Sequence, residues 1–325
     1  MSEAFFIIGT ERSGSNLLRV IFDAHPEVVV PHPPHLLRYL GDLDHEGLDD
    51  IVADTLAMVR GHIHPWDWMP TAAELASEAR DDPTVVGVFL ALYDLVASHG
   101  GATHWGCKST FVVEFVDEIL ARRPGARFVW LVRDVRDVAL SSKTSVFNPF
   151  EPLLTAGLWA RQQRVAIDVA QRLGPERVMR LHYEDVLASP ELMTARLCDH
   201  VGITMHEAML SFHDRARASR TAGLSKSWEN NNKPVMRNNT EKWRKGLTKR
   251  ELAQVEAVAG EVMQELGYRP EAPGPTPSQR DFLEARARDL VMRVQSELRS
   301  LQGDRIHWLR WRRRARVARM KLGLR

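Results

Sequence analysis

Short runs of consecutive apolar residues alternate along this chain with longer segments in which apolar residues recur every three or four positions. The short runs are typical of strands buried in a parallel sheet, and the longer segments are typical of helices that pack on its faces. The predicted strands are residues 5–8, 28–30, 105–109, 127–132 and 178–183. This alternation predicts an α/β fold, with a doubly wound parallel sheet flanked by helices.

One segment between the predicted strands is helical in period over more than fifty residues. It covers residues 47–100 and is interrupted by a polar stretch at 61–70. We expect a helical insertion that covers a substrate pocket. Further along, a helix is predicted over 241–267.

The proline- and glycine-rich stretch 271–277 is a linker by composition. Apolar residues spaced four and three apart follow it, which predicts an amphipathic helix. The last segment is basic. We therefore divide the chain into an α/β domain over residues 1–270 and a C-terminal extension over 271–325, consisting of linker, amphipathic helix and basic tail.

The composition of 44% hydrophobic and 26% charged residues is that of a soluble globular protein. No apolar stretch is long enough to span a membrane, and Glu3 stands where a signal peptide would carry a cation. We therefore expect a cytoplasmic protein. Two cysteines, Cys107 and Cys198, indicate a reducing compartment and a packing role.

The net charge of +2 conceals an asymmetry, because residues 305–325 contain nine Lys or Arg and no acid. Arginines interleaved with Trp308 and Trp311 are typical of a helix that lies on an anionic membrane surface. Non-specific contact with nucleic acid, docking of an acidic carrier domain and a disordered terminus remain alternatives. No sequence-specific nucleic-acid site is expected, and a homodimer is compatible with the sequence.

The first predicted strand runs into a turn with the spacing G-x-x-x-x-G, from Gly9 to Gly14, followed by the start of a helix. This arrangement directs backbone N–H groups and a helix N-terminus at an anion, most often a phosphate, which makes the sheet P-loop-type. A nucleotide-triphosphate loop would continue with Lys and a magnesium-binding hydroxyl. Here Ser15 and Asn16 follow, and the cation is Arg12. The loop therefore predicts a phosphate site that does not bind Mg-ATP.

Three cationic residues, Arg12, Lys108 and Arg133, stand at the carboxyl ends of predicted strands, where ligands of open parallel sheets gather. Ser141 lies eight residues after Arg133, two turns along the next helix. An arginine and a serine so placed can bind one phosphate together. Taken singly, Arg133 could equally belong to a surface ion-pair cluster. Lys108, taken singly, could equally be a solvated surface lysine.

Five motifs in order resemble those of the PAPS-dependent sulfotransferases, within the tyrosylprotein-sulfotransferase-like and bacterial branch. PAPS is 3′-phosphoadenosine 5′-phosphosulfate. The resemblance covers about residues 4–248. The motifs are the loop at 11–19 with Asp23-Ala24-His25-Pro26, the Trp105-Gly106-Cys107-Lys108-Ser109 element, the segment 128–142, the stretch 181–186, and the pair Leu224-Ser225 and Lys233-Pro234.

This resemblance implies roles for individual residues. The loop residues Ser13, Gly14, Ser15 and Asn16 would hold the 5′-phosphate, and Arg133 with Ser141 would hold the 3′-phosphate. The donor pocket would be completed by Tyr183, Ser225 and Lys233. Arg12 and Lys108 would neutralise charge on the bridging oxygen as the sulfonate departs, without a metal ion, and adenosine 3′,5′-bisphosphate (PAP) would be the product.

The branch uses a glutamate about twenty residues after the loop arginine as general base, whereas this chain has Pro31-His32-Pro33-Pro34-His35 there. A histidine is suited to removing a proton from an alcohol or phenol near neutral pH. We favour His32 as the base, with His35 as the second choice. The alternative is that both histidines only cap a turn formed by the prolines. His62 and His64 are expected to line or pack the insertion.

The leading hypothesis is metal-independent transfer of a sulfonate from PAPS to a hydroxyl acceptor, which would be a small molecule, a glycolipid or a lipid. A P-loop small-molecule or nucleotide kinase is the alternative within enzymes. A non-catalytic module that binds a membrane or a partner is the alternative outside them. Arg244-Lys245-Gly246, which resembles a phosphate-binding triplet of cytosolic sulfotransferases, is expected on a solvated helix face.

Overall fold

The protein is described by a computed structural model that covers residues 2–64, 66–146, 148–214, 233–303 and 307–322. Five strands form one sheet in the order β2-β3-β1-β4-β5, and every pairing is parallel. The predicted α/β class and parallel sheet are thus confirmed. The strands are β1 Glu3–Gly9, β2 Val28–Val29, β3 His104–Cys107, β4 Arg127–Val132 and β5 Val178–His182.

Helices cover both faces of this sheet. The helices of the first half are α1 Ser15–Asp23, α2 Leu36–Leu40, α3 Leu48–Arg60, α4 Ala72–Glu78, α5 Val85–His99 and α6 Val116–Arg122. Those that follow are α7 Val135–Ser142, α8 Pro152–Leu173, α9 Tyr183–Ala188, α10 Pro190–Val201, α11 Trp243–Gly246, α12 Lys249–Glu265, α13 Gln279–Gly303 and α14 His307–Lys321. Three short 3₁₀ helices, Thr110–Phe115, Glu207–Met209 and Phe212–Asp214, complete the described elements.

Alternate residues of the central strand face two different hydrophobic clusters, as the two-residue period of a strand requires. Phe6 packs with Trp105 and Phe128 on the face covered by the insertion helices. Phe5 packs on Phe22 of α1, with ring centroids 4.4 Å apart, on the opposite face. Both faces of the sheet are therefore buried, which explains the continuous apolar runs in the sequence.

The register of the central strands places three loops side by side. Phe6 of β1 pairs with Cys107 of β3, and Gly9 of β1 pairs with Leu131 of β4. Because parallel strands end at the same edge of the sheet, the segments that carry Arg12, Lys108 and Arg133 emerge together.

The helix predicted over 241–267 is two helices, α11 and α12, with Leu247 in extended conformation between them. Thr248 begins α12 with a capping box, in which its side chain accepts from the Glu251 backbone N–H. Arg244 of α11 is exposed and pairs with Glu241 and Glu271 at 2.9 and 2.6 Å, as expected for a solvated face.

The C-terminal helix pair rests on the α/β body. The backbone N–H of Phe150 donates to Asp289 of α13 at 2.6 Å, and Arg288 pairs with Glu151 at 2.7 Å. The apolar stripe of α13 is exposed and comprises Leu283, Leu290, Val291, Val294, Leu298 and Leu301. Within the described ranges, no helix has the length and apolarity that crossing a membrane would require.

Candidate functional site

The loop after β1 has two residues in the left-handed region of backbone conformation, one of them a glycine. Gly14 has φ of 95°, and a Cβ there would lie 2.3 Å from the ring of Tyr183. Arg12 has φ of 73°, a left-handed conformation that non-glycine residues seldom adopt. Such strain is concentrated at functional sites, where the surrounding structure holds it in place. The loop thus brings its backbone within contact distance of the residues that follow β5.

The N-terminus of α1 begins directly after this loop. Its first turn has no side-chain cap and no acidic residue. The Ser13 hydroxyl is buried and has no hydrogen-bond partner among the described residues. Uncapped N–H groups and an unpaired hydroxyl at a helix N-terminus suit a phosphate group. This arrangement fits the 5′-phosphate position expected for Ser13, Gly14, Ser15 and Asn16.

Arg12, Arg133 and Ser141 meet beside the loop. The Nε of Arg12 donates to the Oγ of Ser141 at 3.1 Å. The guanidinium of Arg133 donates from Nη1 to the Arg12 carbonyl and from Nη2 to the Asn239 carbonyl, each at 3.0 Å. Burial lowers the pKa of the Arg12 guanidinium from its ordinary value, and Arg133 lowers it further. These two adjacent cations would be stabilised by a bound anion.

Tyr183 closes this side of the site. Its ring lies under the guanidinium of Arg133, with 4.4 Å between the guanidinium carbon and the ring centroid. Its hydroxyl accepts a hydrogen bond of 2.7 Å from the Asn239 side chain. Lys233 lines the same cavity. Ser225, predicted to complete the donor pocket, lies outside the described residues.

Lys108 is buried at the end of β3, with 6% of its surface exposed. Its Nζ lies 3.9 Å from the carboxylate of Glu11, which also accepts from the Thr110 hydroxyl at 3.3 Å. A surface lysine would not be buried in this way, so the solvated alternative does not hold. Glu11 was not predicted as a site residue, although its position inside the glycine loop indicated that it would lie near the other site residues.

Four histidines line the cavity beyond Lys108. His32 stacks on His64 with ring centroids 3.6 Å apart, and His62 lies 6.3 Å from His32. His35 has a left-handed backbone with φ of 53°, and its Nδ1 forms a hydrogen bond of 2.9 Å with the Ser109 hydroxyl. The sequence placed His62 and His64 in the insertion but gave no sign of their stacking with His32.

Burial, more than any neighbouring charge, keeps these rings neutral. Desolvation lowers the pKa of His32 well below 6.5, and Arg19 and the other histidines add to this. Desolvation likewise lowers the pKa of His35 well below 6.5, followed by the positive charges of Lys108 and Arg313. The pKa values of His62 and His64 are both lowered to about 3. A neutral imidazole is the form that can accept a proton.

Most of these groups line one cavity of about 1170 Å³; the buried Ser13 and Ser109 lie behind its surface. Its walls come from the glycine loop, α7, the insertion and the C-terminal helix α14. The participation of α14, through Arg310, Arg313, Arg314, Val317, Ala318 and Lys321, was not predicted. Among the described residues, no group of three or more His, Cys, Asp or Glu side chains is arranged to hold a metal ion. The two cysteines are buried, and burial raises their pKa to about 12 for Cys107 and about 11 for Cys198.

Comparison with known proteins relates this geometry to a family. The profile of the sulfotransferase family matches residues 4–207. Protein-tyrosine sulfotransferase A of Caenorhabditis elegans is 22% identical over 296 residues, covering 88% of this chain and 72% of that protein. Protein-tyrosine sulfotransferase 2 of Gallus gallus is 24% identical over 283 residues, covering 83% of this chain and 70% of that protein.

A solved structure shares the fold. The sulfotransferase domain from the curacin biosynthetic pathway superposes with a TM-score of 0.54 at 20% identity, covering 84% of this chain and 99% of that domain. The profile match spans more than half of the chain and includes the glycine loop, Lys108, Arg133 and Ser141. This chain therefore belongs to the sulfotransferase family and is a PAPS-dependent sulfotransferase.

Proposed function

We propose that the enzyme transfers a sulfonate group from PAPS to a hydroxyl group of its acceptor, with a histidine of the cavity as general base and no metal ion. One observation carries the proposal: the Arg12, Arg133 and Ser141 cluster, Lys108 and His35 line a single cavity at the carboxyl edge of the sheet. The cavity therefore combines anion-binding groups with a neutral proton acceptor.

The donor would be held at its two phosphorylated ends by different segments. The uncapped N-terminus of α1 and the Ser13 hydroxyl would receive the 5′ end. Arg133 and Ser141 would receive the 3′-phosphate, with Tyr183 and Lys233 completing the wall. Bound PAPS supplies a sulfonate on a leaving group that is already anionic.

Arg12 and Lys108 would stabilise the charge that develops on the leaving oxygen. Both cations are fixed before the reaction, Arg12 by Ser141 and Lys108 by its buried position beside Glu11. Pre-positioned donors of this kind commonly make the largest single contribution to catalysis. With two cations in place, the chain's own side chains can supply the electrostatic role that a metal ion has in other phosphate and sulfate enzymes.

His35 is supported as the general base by its hydrogen bond to Ser109. A bond at Nδ1 leaves Nε2 available to the cavity, and an orienting partner is a common feature of catalytic bases. His32, favoured by its spacing from Arg12, remains the alternative. It lines the same cavity but is stacked on His64.

The names of the relatives indicate a phenolic hydroxyl as one acceptor type, because two of them are protein-tyrosine sulfotransferases. For this chain we propose a hydroxyl acceptor that enters between the insertion of residues 47–100 and α14. The test is incubation with labelled PAPS and fractionated extract, followed by mass spectrometry for an added sulfonate. Transfer that requires PAPS, persists in EDTA and is absent with ATP is expected. No transfer to any fraction despite binding of PAP would contradict the proposal.

The outer face of α14 supports a peripheral membrane role. Trp308 and Trp311 are 66% and 56% exposed there, and Arg312 and Arg319 are exposed on the same helix. We propose that this face contacts anionic lipid while the protein stays cytoplasmic, with 271–325 acting as an extension of the 1–270 domain. Co-sedimentation with phosphatidylserine vesicles, lost in a Trp308→Ser, Trp311→Ser variant, is the expected result. If the protein instead forms a concentration-dependent dimer and does not bind vesicles, the exposed apolar stripe of α13 would be the contact surface for a second copy of the chain.

A further inference from the structure

The C-terminal helix α14 forms a wall of the catalytic cavity. Arg313 donates from Nη2 to the carbonyl oxygen of Pro34, and Arg316 donates to the carbonyl oxygen of Ala57 at 3.0 Å. Met320 of the same helix is 9% exposed and joins the core cluster under the insertion. The inner face of this basic segment is therefore committed to the enzyme itself, and only its outer face is left for other contacts.

Arg313 is a half-buried cation on that inner face. Its Nε is buried and has no hydrogen-bond partner among the described residues. Its guanidinium carbon lies 5.1 Å from the centroid of the Tyr39 ring. Burial lowers the pKa of the Arg313 guanidinium from its ordinary value. The ring face holds the guanidinium by a cation–π contact but does not neutralise its charge.

Arg38 lies over the same ring. Its guanidinium carbon is 5.7 Å from the Tyr39 centroid and 3.9 Å from the Phe111 centroid. The Phe111 ring in turn packs edge-on against His35, with centroids 5.4 Å apart. Two guanidinium groups thus adjoin the candidate base, and the charges of both contribute to lowering the pKa of His35.

Neighbouring arginines of the cavity wall have carboxylate partners. Arg314 pairs with Glu297 at 2.5 Å, and Arg293 pairs with Asp289 at 2.6 Å. Within the described ranges, neither Arg38 nor Arg313 has a carboxylate within 4.0 Å. The half-buried Arg313 carries a desolvation cost that a bound anion would offset, whereas Arg38 is exposed and places a second cation beside it.

Cationic side chains far outnumber carboxylates in the cavity lining. Its lining cations are Arg12, Arg38, Lys108, Arg133, Lys233, Lys242, Arg293, Arg310, Arg313, Arg314 and Lys321. Its lining carboxylates, in the part of the chain that the structure describes, are Glu11 and Asp137. The donor end accounts for the cations around the glycine loop. Arg38 and Arg313 lie instead near His35, where the acceptor hydroxyl would be.

We propose that Arg38 and Arg313 bind an anionic group of the acceptor, a carboxylate or a phosphate, so that the preferred substrates are alcohols or phenols that carry their own negative charge. This inference rests on the proposed function of the site. Tyr39 and Phe111 hold both guanidinium groups in place, and the hydroxyl of the same molecule lies at His35. Neutral alcohols would leave the half-buried Arg313 without a counter-ion and would bind less tightly.

Thermal unfolding of the PAP-saturated protein tests the site without requiring a known acceptor. PAP keeps the donor end filled, and inorganic phosphate or acetate is added against potassium chloride at equal ionic strength. We expect phosphate or acetate to raise the Tm of the wild type above the chloride value. The anion that gives the larger shift distinguishes a phosphate-bearing from a carboxylate-bearing acceptor.

Variants locate the effect. Arg313→Gln and, independently, Arg38→Gln should abolish the anion-dependent shift, whereas Arg313→Lys should retain part of it. Arg286→Gln is the matched control, because Arg286 is exposed on α13 and lies outside the cavity lining. No shift in the wild type, or an equal shift in wild type, Arg313→Gln and Arg38→Gln, would overturn the inference. The rise in Tm produced by PAP alone is measured first. If PAP gives no rise, donor binding has failed; if PAP gives a rise but the added anion does not, only the anion site has failed.

Kinetics provide a second readout once an acceptor is found. Arg313→Gln should raise its KM by about 10-fold or more, as expected for a lost charge-assisted hydrogen bond, and change kcat little. A structural defect would instead lower kcat and the PAP-induced shift together. A preferred acceptor without an anionic group would also refute the assignment.

Discussion

The Nε of Arg12 donates a hydrogen bond of 3.1 Å to the Oγ of Ser141, although 129 residues separate them in the chain. This contact joins the glycine loop after β1 to helix α7 after β4. Arg133 reinforces it by donating to the Arg12 carbonyl. Because β1 and β4 pair in parallel register, the sheet fixes the spacing of the two segments that would hold opposite ends of one nucleotide.

Replacing Arg12 with Ala should lower kcat by about 100-fold or more, because a fixed donor to the leaving oxygen is lost. The measurement is single-turnover transfer from labelled PAPS at saturating donor. Arg286→Ala, at an exposed position of α13 outside the cavity lining, is the control and should retain wild-type kcat. A kcat for Arg12→Ala within a few-fold of wild type would remove this residue from the catalytic role.

Replacing Gly14 with Ala should strongly weaken PAP binding. The new methyl group would lie 2.3 Å from the Tyr183 ring, at a φ of 95° that alanine resists. Gly47→Ala is the matched control, because a Cβ there meets nothing within 4 Å. Calorimetric titration with PAP separates the two variants, and equal affinities would contradict the loop geometry described above.

Replacing His35 with Gln should lower kcat by about 100-fold or more while PAP still binds, as expected for loss of a general base. Ser109→Ala should lower kcat less, because the imidazole remains but is no longer oriented through Nδ1. The His32→Gln variant distinguishes His32 from His35 as the base. If His32→Gln is inactive and His35→Gln is near wild type, the base is His32.

Folding stability should fall as the pH is lowered below 6.5, partly because of His62 and His64. Their folded-state pKa of about 3 lies below the unfolded value of 6.5, so between these values the unfolded chain binds more protons. Each can contribute at most about 1.4 kcal/mol per pH unit to this slope. Urea unfolding of His62→Gln and His64→Gln at several pH values should show a flatter dependence than wild type. An unchanged pH dependence in both variants would contradict this expectation.

The convergence of the cations at the proposed donor end was predictable from local sequence. Each of Arg12, Lys108 and Arg133 follows an apolar run, and the parallel arrangement of those runs brings their ends together. The sequence paired Ser141 with Arg133, two helical turns away, and gave no indication that Ser141 would accept a hydrogen bond from Arg12. Here the chemistry lies close in sequence to the secondary structure that positions it.

The arrangement at the proposed acceptor end was not predictable, because it depends on packing between distant segments. Arg313 reaches Pro34 across 279 residues of sequence, and no periodicity in either segment indicates that contact. The stacking of His32 on His64 likewise depends on how the insertion folds over the sheet. By contrast, the division of the 241–267 helix was detectable, since Thr248 and Glu251 have the spacing of a capping box.

Calorimetric titration of PAP and of AMP into the wild type, Arg133→Ala and Ser141→Ala tests the central claim most directly. The account predicts that PAP binds with one-to-one stoichiometry and about 10-fold or more tighter than AMP, because charged hydrogen bonds to the 3′-phosphate are worth about 1.5–3 kcal/mol. Both variants should weaken PAP much more than AMP. Equal affinities of the wild type for PAP and AMP, or PAP binding that survives both substitutions unchanged, would contradict it.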